Sequence, residues 1–399
     1  MVIADGWIAG VGPGGWQGTR TIDVAGRYVL PGLIDAHIHI ESTLLAAAEL
    51  CRLMVPRGTT AAIADPHEMA NVLGVQGIDL LLHATEGLPI DFFFMASSCV
   101  PDARWEDAGA AIDATVVGAA AGARQVLGLA EMMDVAGVLN GAREPLCKLT
   151  AWHLRRPLDG HARADRPAAD GVCRRRHPLR SRVDGGSTRR EKAALGMLVQ
   201  VREGSSERNL DALLPLLRED RPIDWCLCSD DVHPDDLLAR GHLDGLLRRL
   251  VAGGVAPARA VRHATLVPAR HYGLRNRGAV TPGYRADLAV VDDLRDFRVG
   301  LTLKDGKIVA EDGQCAPVQG PPLKATNTMH VAPLSEGDFE LPLAADCCPV
   351  IGVVPDQIVT RRLEADVLRR RPVGVRPGAR RGAGGERGAH RAGGSAAGW

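Results

Sequence analysis

Between residues 29 and 228 the chain repeats one pattern: a short apolar run ending in polar residues, then a longer Ala/Leu-rich stretch with helical periodicity. Such alternation specifies βα units, because two parallel neighbouring strands need a crossover long enough to carry the chain back to the same end. Runs 28–40, 59–64, 90–96, 125–130, 198–201 and 225–229 read as strands, and 46–55, 72–84, 107–121 and 210–217 read as helices. The expected class is therefore α/β, a parallel sheet enclosed by helices. Before residue 29 and after about 274 the texture changes to short alternating strands, with turns at Ala25-Gly26, Pro282-Gly283 and Asp305-Gly306. Both ends of the repeating segment are expected to build one small β domain from 1–28 and 274–320.

Composition supports a packed core and excludes several partners. Of 399 residues 46% are apolar, so disorder is not the description of the whole chain. Lys+Arg and Asp+Glu are equal at 48 each, which leaves no global attraction to nucleic acid or to an anionic membrane. The N-terminus lacks the basic and apolar regions of a secretory leader, and no apolar run approaches the ~18 residues of a spanning helix. A cytoplasmic location is the expectation. The 9 cysteines show no paired CxxC spacing and read as reduced, mostly buried thiols; Cys226 and Cys228 read as strand filler.

His37-Ile38-His39 ends an apolar strand entered through Pro31-Gly32-Leu33-Ile34-Asp35. Residues i and i+2 of a strand point to the same face, so both imidazoles can reach one metal. A lone His-x-His is weak evidence, but other good ligands also follow apolar runs: Glu131 after 125–130, His161 after 158–160 and Asp230 after 225–229. In a closed barrel such strand ends converge on one face, where active sites are built. Imidazole and carboxylate together suit Zn, Mn or Fe.

These segments resemble the amidohydrolase superfamily, and within it the adenine deaminases. The carriers are PGLIDAHIHIE at 31–41 with its Ile40-Glu41-Ser42 extension, GTTAAIADPHEMANVLG at 58–74, SSCVP at 97–101 and GLAEMMDVAGVLN at 128–140. They continue with DGHA at 159–162, VREGSSERNL at 201–210, CSDDVHPDDL at 228–237 and the β return RGAVTPGYRADLAVV at 277–291. The resemblance implies a TIM-like (β/α)8 barrel over 29–268 with a small β-sandwich domain, and a C-terminal domain starting within 330–367. It implies a binuclear divalent metal centre of Mn or Fe, with Zn as the alternative, holding His37, His39 and Asp230 around one ion, His161 on the other and Glu131 between them. Asp230 and Glu131 would be the catalytic carboxylates in hydrolytic deamination of adenine to hypoxanthine and ammonia, a step of purine salvage. The substrate is then a small molecule, nucleic acid and membrane are not partners, and homo-oligomerisation stays open.

Two other functional classes remain in view. A cyclic amidohydrolase acting on a ring amide would use a carboxylated lysine bridge, and a non-catalytic remnant would use its basic segment to bind nucleic acid or a partner. His67-Glu68 divides evenly between a substrate or accessory-metal contact and a helix cap. Arg202-Glu203-Gly204 divides between a purine pocket and a loop ion pair. His83, His153, His233, His242, His263 and His271 read as ordinary surface or core histidines.

The chain departs from the family in one place above all. The resemblance implies a Ser-Asp-His-Glu segment shortly before 193–204, whose His completes the metal centre, and no such segment is present. Residues 163–190 stand there instead, with 9 Arg in 28 residues and neither periodicity. Residues 176–184 can be encoded so that a one-base shift reads Gly-Ile-Arg-Ser-Asp-His-Glu-Ser-Thr, and the same shift turns 170–175 into Thr-Ala-Tyr-Ala-Ala-Ala. A frame loss after Ala162 with recovery near Arg190 is therefore expected. The tail 368–399, with 8 Arg and 9 Gly, reads as a second such event or as disorder. The second metal should then lack one imidazole, with His177 a poor substitute, and the activity of this exact chain is in question.

Overall fold

The computed structural model describes residues 1–102, 106–120, 123, 125–152, 157–160, 192, 196–219, 224–323, 327–328, 330–339, 347–357 and 360–366. His161, His153, the 163–190 segment and the 368–399 tail lie outside the described residues. The chain divides into two units, Met1–Thr326 with Pro355–Ile358, and Asn327–Val354 with Val359–Trp399.

The first unit opens with a hairpin of β1 (Val2–Ala4) and β2 (Trp7–Gly10), followed by β3 (Tyr28–Pro31). Parallel strands then follow: β4 (Leu33–Ile38), β5 (Thr59–Ala64), β6 (Asp91–Ala96), β7 (Val126–Met132) and β8 (Leu158–Gly160), paired in that order. β9 (Val199–Arg202) and β10 (Trp225–Cys228) form a second parallel pair. A parallel bridge from Ile38 to Asp230 lays β10 beside β4, so the described strands run β9-β10-β4-β5-β6-β7-β8. Helices cover the outer side, among them Ala47–Met54, Val75–Ala84, Leu210–Leu217 and Leu243–Ala252. The Gln200 side chain of β9 donates to Asp159 of β8 at 3.2 Å, bringing the two ends of this curled sheet within reach of each other. This is a TIM-like arrangement, and the expected α/β class holds.

The run 28–40, read as one strand, is two strands. At Gly32 the chain passes from an antiparallel sheet into the parallel one. A Cβ there would meet the Thr60 side chain, its Oγ1 at 2.1 Å and its Cβ at 2.8 Å, so only glycine lets β4 enter this close to β5. The expected helix 72–84 is likewise interrupted by Gly74 (φ 63°), which separates His67–Leu73 from Val75–Ala84. The expected helix 107–121 shortens to Ala114–Ala120, because the Asp113 carboxylate accepts from the Thr115 and Val116 amides and starts the helix there.

The ends of the repeating segment meet in one five-stranded antiparallel sheet, β14-β13-β12-β11-β3, with β11 Leu288–Val291, β12 Val299–Lys304, β13 Lys307–Glu311 and β14 Gln314–Cys315. Ile8 of the hairpin packs with Leu288, Val290, Leu301 and Leu303 of that sheet. In the second unit β15 (Cys347–Val353) pairs with β16 (Thr360–Asp366) as an antiparallel hairpin. Of the described cysteines Cys51, Cys99, Cys226 and Cys228 are buried, whereas Cys147 and Cys347 are exposed, so fewer thiols are buried than expected. Among the described residues no helix is long and apolar enough to cross a membrane.

Gly32→Ala is expected to cost on the order of 2 kcal/mol, since Thr60 is buried and β-branched and cannot swing away. Denaturant unfolding of the purified variant measures this; an unchanged midpoint would show that β4 and β5 can separate at no cost.

Candidate metal centre

Four of the expected site residues meet at the C-terminal edge of the parallel sheet. His37 is the penultimate residue of β4 and His39 follows the strand, Glu131 is the penultimate residue of β7, and Asp230 comes two residues after β10. All four are buried, from 0 to 3% exposed. One ligand atom from each lies within 4.8 Å of all the others. The Nε2 atoms of His37 and His39 are 2.9 Å apart, and Glu131 Oε1 stands 2.8 Å from the first and 3.7 Å from the second. Asp230 Oδ1 stands 3.6 Å from His37 Nε2 and 3.4 Å from His39 Nε2.

These atoms fit a divalent cation. His39 Nδ1 lies 3.1 Å from the Asp65 carbonyl oxygen, which can only accept, so Nδ1 carries the proton and Nε2 turns its lone pair to the cluster. His37 is oriented in the same sense, its Nδ1 lying 3.6 Å from Asp159 Oδ2. Two lone-pair nitrogens facing each other at hydrogen-bond distance, beside two carboxylate oxygens, form a set of acceptors that a cation satisfies. A tetrahedral site with bonds of ~2.0–2.1 Å spaces its ligand atoms about 3.3 Å apart, close to the separations seen here. Burial opposes a proton on His39, but the Glu68 and Asp230 carboxylates outweigh it and hold the imidazole well above its ordinary range. The same negative surroundings favour a metal ion.

A second group extends the site outward. His39, His67 and Glu68 also bring ligand atoms together, with Glu68 Oε2 at 3.2 Å from His39 Nδ1 and His67 Nδ1 at 3.2 Å from Asp65 Oδ2. His67 and Glu68 open the helix His67–Leu73 and also stand beside His39, a group that could hold a metal ion. Burial opposes ionisation of Glu68, yet His39 and His67 keep its carboxyl well below the carboxylate range. Burial, reinforced by Glu68, pushes the neighbouring Glu41 up to about 7. Glu68 is the most open of these carboxylates, its side chain 36% exposed.

The Arg202-Glu203 pair separates into two roles. Arg202 Nη1 reaches Asp230 Oδ2 at 3.3 Å, both side chains being 1% exposed. Glu203 instead pairs with Arg249 and accepts from the Leu210 amide at 2.9 Å, the loop ion pair. His242 and His263 are buried and hydrogen-bonded, while His83 and His233 are exposed.

Sequence reasoning missed the residues that hold the ligands. Asp35 accepts from the His37 and Ser229 amides, from Ser229 Oγ at 2.6 Å and from His242 Nε2 at 2.9 Å. The signal was available: a carboxylate inside the wholly buried strand LIDAHI must be paired. Arg202, closing the buried strand VQVR, was a candidate only for a pocket or a loop ion pair, and its contact with Asp230 was not foreseen.

The sequence profile of the Amidohydrolase family matches residues 28–309, and the chain belongs to that family. It is 39% identical over 373 residues to a protein named adenine deaminase from Kosmotoga olearia, covering 90% of this chain and 63% of that protein. It is 41% identical over 380 residues to an adenine deaminase from Syntrophobacter fumaroxidans, covering 91% and 63%. The chain thus spans about 63% of the length of these curated relatives. A crystal structure of an adenine deaminase superposes with a TM-score of 0.59 at 17% identity, covering 77% of this chain and 94% of that one. Dihydropyrimidinase from Brevibacillus agri NCHU1002 superposes with a TM-score of 0.58 at 14% identity, covering 78% and 91%. Both share the fold.

Asp35→Ala is expected to destabilise the protein by about 3 kcal/mol, because it leaves the Ser229 and His242 donors buried without their acceptor. It should also lower metal uptake, since Ser229 precedes Asp230. Unfolding curves and metal analysis of one preparation test both; wild-type values in either would refute the clamp.

Proposed function

We propose that this chain is the amidohydrolase portion of an adenine deaminase, built for the conversion of adenine and water to hypoxanthine and ammonia and impaired in it as written by residues 163–190. The observation that carries the reading is the cluster of His37, His39, Glu131 and Asp230 in a chain 39 to 41% identical to proteins of that name. His161 is assigned to the second metal position and Glu131 to the bridge. In this reading residues 29–268 are the (β/α)8 barrel, 1–28 and 274–320 its β-sandwich partner, and 330–367 the start of a further domain, in a cytoplasmic enzyme of purine salvage.

A divalent ion held here, Mn or Fe by family resemblance, would acidify a water and supply the nucleophile. Asp230 takes one proton of that water on Oδ1 and passes it to the departing amino group, which leaves as ammonia, while the second water proton ends on ring N1, so that adenine and water become hypoxanthine and ammonia. Glu131 and His39 fix the geometry of the reacting edge, and Glu68 offers an acceptor to the purine ring. A ring-amide hydrolase with a carboxylated lysine is disfavoured, because the bridging position in β7 holds Glu131.

The frame reading predicts the behaviour of the chain as it stands. Purified unaltered protein should bind clearly fewer than two metal ions and form hypoxanthine negligibly. Replacing residues 163–188 with the one-base-shifted reading should restore metal uptake and measurable deamination. Adenine turnover at an ordinary enzymatic rate by the unaltered chain would overturn the frame account; a repaired, metal-loaded chain inert on adenine would overturn the assigned activity.

A further inference from the structure

Asp230 is placed by its backbone and by one side-chain contact. Its φ of 56° lies in the left-handed region, which aspartate tolerates better than bulkier residues, and its amide donates to the His37 carbonyl at 2.9 Å. The backbone thereby delivers the carboxylate to the cluster, but it does not decide which oxygen faces the imidazoles. Arg202 contacts Oδ2 at 3.3 Å, and Oδ1 is left toward the Nε2 atoms of His37 and His39. Arg202 itself is held from behind: its amide donates to Asn209 Oδ1 at 3.0 Å, and the Asn209 amide returns a bond to its carbonyl at 3.1 Å. Its Cα also pairs with Cys228 across the β9–β10 ladder, two residues before Asp230. A guanidinium buried this fully carries a desolvation cost that an apolar side chain of similar volume would avoid.

We propose that Arg202 is a positioning residue, which holds Asp230 in the rotamer that presents Oδ1 to the His37–His39 pair, so that the cation affinity of the centre depends on a side chain that is not itself a ligand. This rests on the metal-centre reading above. It also separates Arg202 from the purine pocket, in which its segment was a candidate, and makes it part of the cation site.

The test is a Co(II) titration of the whole metal-free chain, followed by visible absorption, on wild type, R202K, R202M, D230A and R202M/D230A. R202M should weaken Co(II) binding ~10–100-fold and shift the absorption band, and R202K should recover most of the affinity. In the D230A background R202M should change affinity less than about twofold, because the guanidinium acts through the missing carboxylate. Wild-type affinity and spectrum in R202M would overturn the inference, as would an equal loss in both backgrounds. If R202M fails to fold while R202M/D230A folds, the coupling is upheld; if both fail, Arg202 is scaffold alone and the inference falls. If neither the wild-type chain nor a folded chain repaired over 163–188 takes up Co(II), the metal-centre reading beneath the inference falls instead.

Discussion

The centre depends on one buried carboxylate that is not a ligand. Asp35 lies in β4 two residues before His37, and its oxygens are shared between the amide of His37, both donors of Ser229 and the imidazole of His242. It therefore ties the strand that carries both histidines to the chain just before Asp230. His242 is fixed in turn by Thr59 at the start of β5, with 2.7 Å between Nδ1 and Oγ1. The links from Asp35 to Ser229 and to His242 are short in space and long in sequence. Breaking the first leaves several polar groups orphaned in the interior, where each costs more than a hydrogen bond ordinarily contributes.

Charge makes the same site a cation trap. Asp35, Asp65, Glu131, Asp159 and Asp230 are all buried around its histidines, and Arg202 is a permanent cation placed beside Asp230. Clustered carboxylates in a dry interior either acquire protons or hold positive charge. The histidines supply part of it, as the raised proton affinity of His39 and His67 shows, though burial opposes both. A divalent ion supplies it more compactly, with no proton needed between the two Nε2 atoms.

A second ionic network lies at the opposite end of the strands and serves the scaffold. Lys304 at the end of β12 reaches Asp91 at 2.9 Å, Asp287 at 3.2 Å and Asp305 at 3.1 Å, and Arg277 joins Asp91 and Asp287. Asp91 begins β6, so the network fastens the start of the parallel strands to the antiparallel sheet. The division follows the general logic of such barrels, with chemistry at the C-terminal strand ends and stability at the N-terminal ones.

The sequence by itself determined the alternation of strand and helix, the position of His37, Glu131 and Asp230 near strand ends and the same-face pairing of His37 with His39, because these depend on local period and on pleat. It also carried the family likeness in its motifs. It did not determine where a strand had to break, since Gly32 is required by Thr60, a residue that only the folded sheet brings against it. Nor did it place Glu68 beside His39 or Arg202 behind Asp230. Those pairs are separated by 29 and 28 positions, and the curl of the parallel strands sets their distances, so only the tertiary structure could decide them.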